Sequence, residues 1–157
     1  MASKTTRVYI DTSVIGGYLD DELKKWSLSL IKEFRAGKKR AVISDVTMRE
    51  LTQAPAAVRA VLNSVPESAC ERVALDDEAR HLANAYLADK VVSPADVRDA
   101  QHIAIATIAR VDVVATWNFK HIVNFRRIRL FNSVNLKQGY GMIDIRSPRE
   151  VLDEKDL

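Results

Sequence analysis

Short apolar runs rich in β-branched residues alternate along this chain with longer segments that have helical periodicity. The runs lie at residues 7–10, 41–43, 72–75, 112–116 and 142–145. Helices are predicted between them, at residues 19–34, 46–53, 55–63, 76–88, 93–109 and 122–138. This alternation predicts an α/β protein whose mainly parallel central sheet is covered by helices on both faces. Functional sites of such sheets lie beyond the carboxyl ends of the strands.

Length and cysteine content limit the organisation further. The chain has 157 residues and no internal repeat, so we expect a single domain over residues 1–157. Its one cysteine, Cys70, cannot form an intrachain disulfide, which favours a reducing compartment. The first apolar run meets Asp11 too soon for a secretory signal, and no apolar stretch is long enough to cross a bilayer. We therefore expect a cytoplasmic protein without a membrane segment.

Polar and acidic residues occur where such a sheet would have its site. Asp11 directly follows the first strand, and Asn118 comes just after the strand that ends at Thr116. Glu50 and Asp99 each lie one turn inside a predicted helix, six residues past the expected N-caps Ser44 and Ser93. Helical side chains lean toward the N-terminus of their helix, so these two acids can point back over the same edge. The three carboxylates are expected to converge there.

Converging carboxylates repel one another and raise their own pKa values unless a cation lies between them. Oxygen ligands suit a hard ion, so Mg²⁺ or Mn²⁺ is the expected cofactor. Such an ion can activate a water molecule and stabilise the charge that develops on a phosphodiester during its cleavage. The acidic residues therefore predict a metal-dependent phosphodiesterase.

Four segments, in this order, together resemble the PIN domain family, and the resemblance runs from Val8 to about Pro148. They are Asp11-Thr12-Ser13, Ser44 with Glu50, Asp99-Ala100-Gln101-His102-Ile103-Ala104, and Thr116-Trp117-Asn118-Phe119. The resemblance implies a three-layer α/β/α sandwich with a core over about residues 7–148 and a short acidic C-terminal tail. It also implies a metal-dependent endoribonuclease, many relatives being VapC-like toxins of toxin–antitoxin pairs. RNA, an antitoxin protein and a second copy in a homodimer are the implied partners.

The family's functional positions can be matched to residues of this chain. Asp11, Glu50 and Asp99 match the three acids that the resemblance implies are catalytic and hold the metal. Thr116 matches the Thr or Ser ahead of a fourth position that usually carries Asp, and this chain has Asn118 there. An amide oxygen can ligate a hard cation, but it is neutral. The substitution weakens the expectation of a second metal ion and of full activity.

Each of these residues also has a simpler structural explanation. Asp11 can cap the following turn, Glu50 can be an exposed helix acid, and Asp99 can pair with Arg98 or a nearby helix. Asn118 is a metal ligand or a turn residue. Three further residues, Ser13, Thr116 and Asp96, are expected to orient the ligands. Ser13 can instead form a local turn hydrogen bond, and Asp96 can be a capping-box acid paired with Ser93.

Basic residues are concentrated near the end of the chain. Residues 113–143 contain no Asp or Glu, and Lys120, Arg126 and Arg127 are the expected contacts for RNA phosphates. The alternative is a solvated basic face. Helical spacing places the neighbouring Phe125 and Phe131 in the core rather than on a base-stacking surface. His102, one turn beyond Asp99, is expected to pack or to orient a ligand rather than act as a base.

Two other functions compete with a ribonuclease. In the first, Asn118 marks a weakened site and the chain is a non-catalytic PIN-like module that binds RNA or protein. In the second, Asp11 is the nucleophile of a phosphatase-like hydrolase. That chemistry usually needs an acid two residues later, and Ser13 occupies this position. The phosphatase is therefore the weakest of the three interpretations.

Overall fold

Five parallel strands form the central sheet of the computed structural model, which describes residues 4–153 and residue 155. The strand order is β3-β2-β1-β4-β5, and every neighbouring pair is parallel. The strands are β1 (Thr6–Ile10), β2 (Lys39–Ser44), β3 (Cys70–Val73), β4 (Val113–Ala115) and β5 (Ile145–Arg146). All five predicted strands are present, with ends shifted by at most three residues. The predicted parallel sheet is confirmed.

Helices connect the strands on both sides of the sheet. They are α1 (Thr12–Gly16), α2 (Lys24–Arg35), α3 (Asp45–Leu51), α4 (Ala56–Asn63), α5 (Asp77–Ala88), α6 (Val97–Ile108), α7 (Phe125–Lys137) and α8 (Pro148–Val151). Short 3₁₀ turns occupy Gly17–Leu19, Glu67–Ala69 and Pro94–Asp96. None of the helices in the described part of the chain has the length and hydrophobicity to span a bilayer.

Several helices begin later than predicted, for local reasons. The helix expected from residue 19 begins at Lys24, because Gly17–Leu19 form a separate 3₁₀ turn. The helix expected from residue 122 begins at Phe125, where the Asn124 side chain accepts a hydrogen bond from the backbone N–H of Arg127. This cap uses one of the amide groups that a helix start leaves without a partner.

Alternating strand residues pack into two separate cores, one on each face of the sheet. Because successive side chains of a strand point to opposite faces, Val8 and Ile10 belong to one core and Tyr9 to the other. The first core includes residues of α1, α2 and α4, and the second includes residues of α5, α6 and α7. The predicted three-layer α/β/α arrangement is confirmed.

A buried ion cluster joins the C-terminal segment to the first core. The Lys39 ammonium, 6% exposed, donates to Glu33 Oε1 at 2.5 Å and to Asp153 Oδ1 at 2.7 Å. Burial alone would lower the pKa of Lys39, but these two carboxylates raise it above its usual value. Of the expected acidic tail, Asp153 and Lys155 are described, while Glu154, Asp156 and Leu157 lie outside the described residues.

Candidate active site

Asp11 lies at the carboxyl edge of the sheet between two hydroxyl groups. Strand β1 ends at Ile10 beside Ala115 of β4, so the next residues of the two strands, Asp11 and Thr116, are neighbours. The Thr116 hydroxyl donates to Asp11 Oδ2 at 2.6 Å, and the Ser13 hydroxyl donates to Oδ1 at 2.5 Å. Only 5% of Asp11 is exposed. Both carboxylate oxygens are thus held in place, which fixes the direction in which Asp11 faces.

Ser13 and Thr116 also connect Asp11 to the loop after β4. The Ser13 hydroxyl accepts from the backbone N–H of Trp117 at 2.9 Å, and the Thr116 hydroxyl accepts from that of Asn118 at 3.1 Å. The structure therefore places both predicted orienting residues in contact with Asp11. Any movement of this loop would be transmitted to the carboxylate.

Glu50 reaches the same edge from α3 but is bound to a histidine. Ser44 caps α3 by accepting from the N–H of Thr47, as predicted, and Glu50 follows one turn later. Its Oε1 atom lies 2.8 Å from Nε2 of His102, which is 3% exposed. Burial raises the pKa of Glu50, but the hydrogen bonds from His102 and Thr12 outweigh it, so the pKa is lowered. Glu50 is therefore ionised at neutral pH.

A buried hydrogen-bond chain continues from His102 under the site. The Nδ1 atom of His102 lies 2.6 Å from the Tyr9 hydroxyl, which lies 2.7 Å from the Ser44 hydroxyl. Burial raises the pKa of Tyr9 well above its usual value, so the phenol stays protonated. His102 thus orients Glu50 rather than acting as a free base. Tyr9 carries no sequence signal for such a role, because its position in the middle of β1 is typical of a core residue.

Asp99 is the acid whose negative charge is least compensated. Burial raises its pKa, and the carboxylates of Asp96 and Asp11 raise it further against the opposing effect of His102 and His121. No hydrogen bond from the described part of the chain reaches the Asp99 carboxylate. Asp11 makes the smallest of these contributions, so the two predicted ligands lie within electrostatic reach of each other.

Asp96 does not form the predicted capping box with Ser93. Pro94–Asp96 form a 3₁₀ turn, α6 begins only at Val97, and the Ser93 side chain caps no backbone N–H. Instead the Ser93 hydroxyl donates to Asp96 Oδ2 at 2.9 Å, and this oxygen lies 3.7 Å from His121 Nδ1. The capping interpretation is wrong because the tighter 3₁₀ turn changes the position of the side chain relative to the helix.

Asn118 has the geometry of a turn residue. Its Oδ1 atom accepts from the backbone N–H of His121 at 2.9 Å, and its carbonyl accepts from Val123 at 2.8 Å. The amide oxygen expected to ligate a cation is thus already used once. Its place beside Thr116 at the edge of the sheet is nevertheless the one predicted.

The basic residues have different environments. Lys120 and Arg126 are exposed, whereas the Arg127 guanidinium donates to the carbonyl of Val91 and so fixes α7 to the segment before the 3₁₀ turn. Phe131 is fully buried, as predicted. Phe125 is 77% exposed, so the prediction that it lies in the core is wrong.

The acidic edge offers oxygen ligands but no preassembled cage. In the described ranges, no three His, Cys, Asp or Glu side chains lie close enough together to hold a metal ion. Mg²⁺ is usually held by one or two carboxylates together with water and substrate phosphate. Asp11 and Asp99, which form no ion pair with a basic side chain of the described residues, fit that mode of binding.

An α/β/α sandwich with carboxylates at the carboxyl edge of a parallel sheet defines the class, and one solved structure with a TM-score above 0.5 shares the fold. The Mycobacterium tuberculosis toxin VapC20, described as cleaving the sarcin-ricin loop, superposes with a TM-score of 0.53 and 14% identity, covering 87% of this chain and 98% of its own. A DNA-bound VapBC complex from Salmonella typhimurium gives a TM-score of 0.49 and 21% identity over 92% and 99%. No family model and no curated protein matches the sequence. The chain has the PIN-like fold of VapC20.

Proposed function

We propose that this protein is a metal-dependent endoribonuclease that hydrolyses RNA phosphodiester bonds with Mg²⁺ or Mn²⁺. One observation carries the proposal: the buried carboxylate of Asp11 is held by Ser13 and Thr116 at the carboxyl edge of the sheet, and Asp99, whose pKa it helps to raise, receives no hydrogen bond from the described residues. Buried like charges are costly unless a cation or a proton neutralises them. Their position at the carboxyl edge of a PIN-like sheet makes a hard cation and a phosphate the ligands with matching charge.

The roles of the residues follow from their contacts. Asp11, held by Ser13 and Thr116, and Asp99 are the proposed ligands, and a bound cation would activate water and stabilise phosphate charge. Glu50 is ionised and held by His102, so it can accept the proton of the attacking water. Exposed Lys120 and Arg126 would contact neighbouring phosphates.

The biological setting is part of the same proposal. VapC20 is a toxin that cleaves the sarcin-ricin loop, which supports RNA as the substrate class and a toxin as the role of this chain. A toxin of this kind must be held inactive in its own cell, so an antitoxin protein belongs to the proposal. A homodimer and a cytoplasmic location are proposed with it.

A second function has one observation in its favour. Asn118 replaces the expected fourth acid, and its amide oxygen is engaged by the backbone N–H of His121. A site with one acid fewer could bind RNA or protein without cutting it. This PIN-like binding module is the alternative that an activity assay has to exclude.

The decisive experiment compares acid variants on labelled RNA. Purified protein is incubated with RNA in Mn²⁺, Mg²⁺ or EDTA, beside Asp11→Asn and Asp99→Asn. Glu67→Gln is the matched control, because Glu67 is an exposed acid just before β3. It therefore lies at the amino ends of the parallel strands, opposite the carboxyl edge that carries Asp11. Cleavage should require the metal, fall at least about 100-fold in both aspartate variants and persist in the control.

A binding measurement separates loss of metal from loss of chemistry. Mn²⁺ should raise the melting temperature of the wild type and the control, but not that of Asp99→Asn, because a ligand stabilises only the fold that binds it. Cleavage that is equal in all variants, or absent with a metal that clearly binds, would reject the nuclease. If the nuclease is active, the toxin role is tested separately: its expression without an antitoxin should arrest growth.

A further inference from the structure

An exposed aromatic ring marks the start of α7. Phe125 is 77% exposed, the largest exposed fraction among the large hydrophobic side chains of the described residues. A single exposed apolar residue needs no functional explanation. The surroundings of this ring, however, are those of a binding surface.

Arg129 lies one helical turn after Phe125 and covers its ring. The guanidinium carbon is 5.4 Å from the ring centroid, within the range of a cation–π contact. Phe125, Arg126, Arg129 and Leu130 line a surface depression of about 420 Å³. Ligand pockets of proteins span roughly 300–1,000 Å³, so the depression is large enough for a nucleotide.

The charge of this depression is unbalanced. Arg126 and Arg129 have no acidic partner in the described ranges, and residues 113–143 contain no Asp or Glu. Other basic residues of the same helix are already used, Arg127 on the Val91 carbonyl and Lys137 on Asp89. A ligand that fits must therefore offer both a flat apolar face and negative charge.

The ring is also connected to the candidate active site by a compact loop. The Asn124 side-chain amide donates to the carbonyls of Phe119 and Lys120, and the Asn118 carbonyl accepts from Val123. Asn118 is in turn bonded to Thr116, the partner of Asp11. RNA that places a phosphate at the acidic edge would thus pass a fixed aromatic surface a few residues further along the chain.

We infer that Phe125, with Arg126 and Arg129, is a stacking platform for an unpaired nucleobase of RNA. Base–aromatic stacking needs a base that has left its duplex, so the substrate class is a loop, bulge or single strand. The platform would hold this base while the arginines contact its phosphates. Naming RNA as the ligand rests on the proposed function, but binding to the platform requires neither a metal nor cleavage.

The test is an anisotropy titration in EDTA. The probes are a labelled single-stranded RNA of about 12 nucleotides and the same strand in a full duplex. Phe125→Ala should weaken binding of the single strand roughly 5- to 100-fold, the equivalent of one lost base stack. Phe125→Tyr should bind like the wild type, Phe125→Leu like the alanine variant, and duplex affinity should not change.

Leu136→Ala is the matched control. Leu136 is a second exposed apolar residue of α7, 58% exposed and about 16 Å further along the helix axis, so its removal should leave RNA affinity unchanged. Circular dichroism of each variant checks that the helix is retained.

Two results would overturn the platform. One is equal single-strand affinity of the wild type and a folded Phe125→Ala, or wild-type affinity in Phe125→Leu, which would show that no stacking occurs. The other is a dimer that becomes a monomer on Phe125→Ala while RNA affinity stays the same, which would assign the ring to an interface between copies. Failure of the proposed nuclease function would look different: the wild type would bind single-stranded RNA through Phe125 but cleave none.

Discussion

His102 Nε2 lies 2.8 Å from Glu50 Oε1 and so joins α6 to α3. A carboxylate only accepts hydrogen bonds, so this nitrogen carries the proton. In the neutral ring Nδ1 is then an acceptor, and the Tyr9 hydroxyl donates to it across 2.6 Å. The two partners of His102 thus set its tautomer, and the position of Glu50 depends on a residue that is itself only 3% exposed.

Replacing His102 by Leu should cost both stability and activity. The change leaves the buried Tyr9 hydroxyl without one partner and frees Glu50, so we expect a loss of about 1–3 kcal/mol in the free energy of unfolding, measured with urea. His102→Gln, which can keep a donor to Glu50, should recover more of kcat than of stability. Tyr9→Phe is the control for the deeper contact alone. If His102→Leu matches the wild type in kcat, the histidine does not position Glu50.

Asp99 should destabilise the folded protein at neutral pH. Its folded pKa is raised by burial and by Asp96 and Asp11, so the folded state binds the proton more tightly than the unfolded chain does. Ionisation therefore penalises the fold above that raised pKa, and the penalty disappears as the pH falls to the unfolded pKa of about 4. In EDTA, Asp99→Asn should be more stable than the wild type at pH 7 by roughly 0.5–2 kcal/mol.

This gain should shrink toward zero below about pH 4, where the wild-type carboxyl is protonated in both states. Urea unfolding of both proteins at pH 7 and pH 3.5 measures the difference. A gain that is the same at both pH values would mean that the amide improves packing and that Asp99 carries no charge penalty.

Gly17 is required by close packing under the site loop. A Cβ at this position would overlap the Ser27 hydroxyl and lie 2.9 Å from Trp117 Nε1, which donates to that hydroxyl at 2.8 Å. Gly17→Ala should therefore break the bond and cost about 1–3 kcal/mol, as overpacking does. Gly16→Ala is the matched control, because no atom lies within 4 Å of its Cβ position.

The displaced indole should also affect activity. The backbone N–H of the same residue, Trp117, donates to the Ser13 hydroxyl, which in turn donates to Asp11. Trp117 fluorescence and the cleavage rate should change together in Gly17→Ala and stay unchanged in Gly16→Ala. Loss of stability with a normal cleavage rate would show that the loop tolerates the shift.

The sheet and the acids at its edge were predictable because they depend on local patterns. Asp11 directly follows a β-branched run, which places it at the end of a strand. The Ser44 cap gives the approximate position of Glu50 in its helix. The His102–Glu50 contact joins residues 52 positions apart, and only the packed fold brings them together. Spacing alone could place His102 on the face of Asp99 but could not supply its partner.

The orientation of α7 was not predictable from hydrophobicity. Asn132 and Asn135 are buried in this helix, where Asn132 bonds the backbone of Ile143 and Asn135 bonds Tyr86. The inward face of α7 therefore includes two amides that hydrophobicity alone would not place there. Phe125 lies seven residues before Asn132, on the same side of the helix, but it is the first residue of α7 and is 77% exposed there.

Asn118→Asp tests whether the missing fourth acid limits the site. An aspartate can keep the bond from the His121 N–H with one oxygen and present the other, now charged, to the region faced by Asp11 and Asp99. We expect Mn²⁺ to bind roughly tenfold more tightly, because affinity for hard cations rises with ligand charge, as titration calorimetry would show. Without metal the added charge should lower the melting temperature. An unchanged Mn²⁺ affinity would make Asn118 a turn residue only, whereas RNA cleavage that appears only in the aspartate variant would identify the wild type as a binding module.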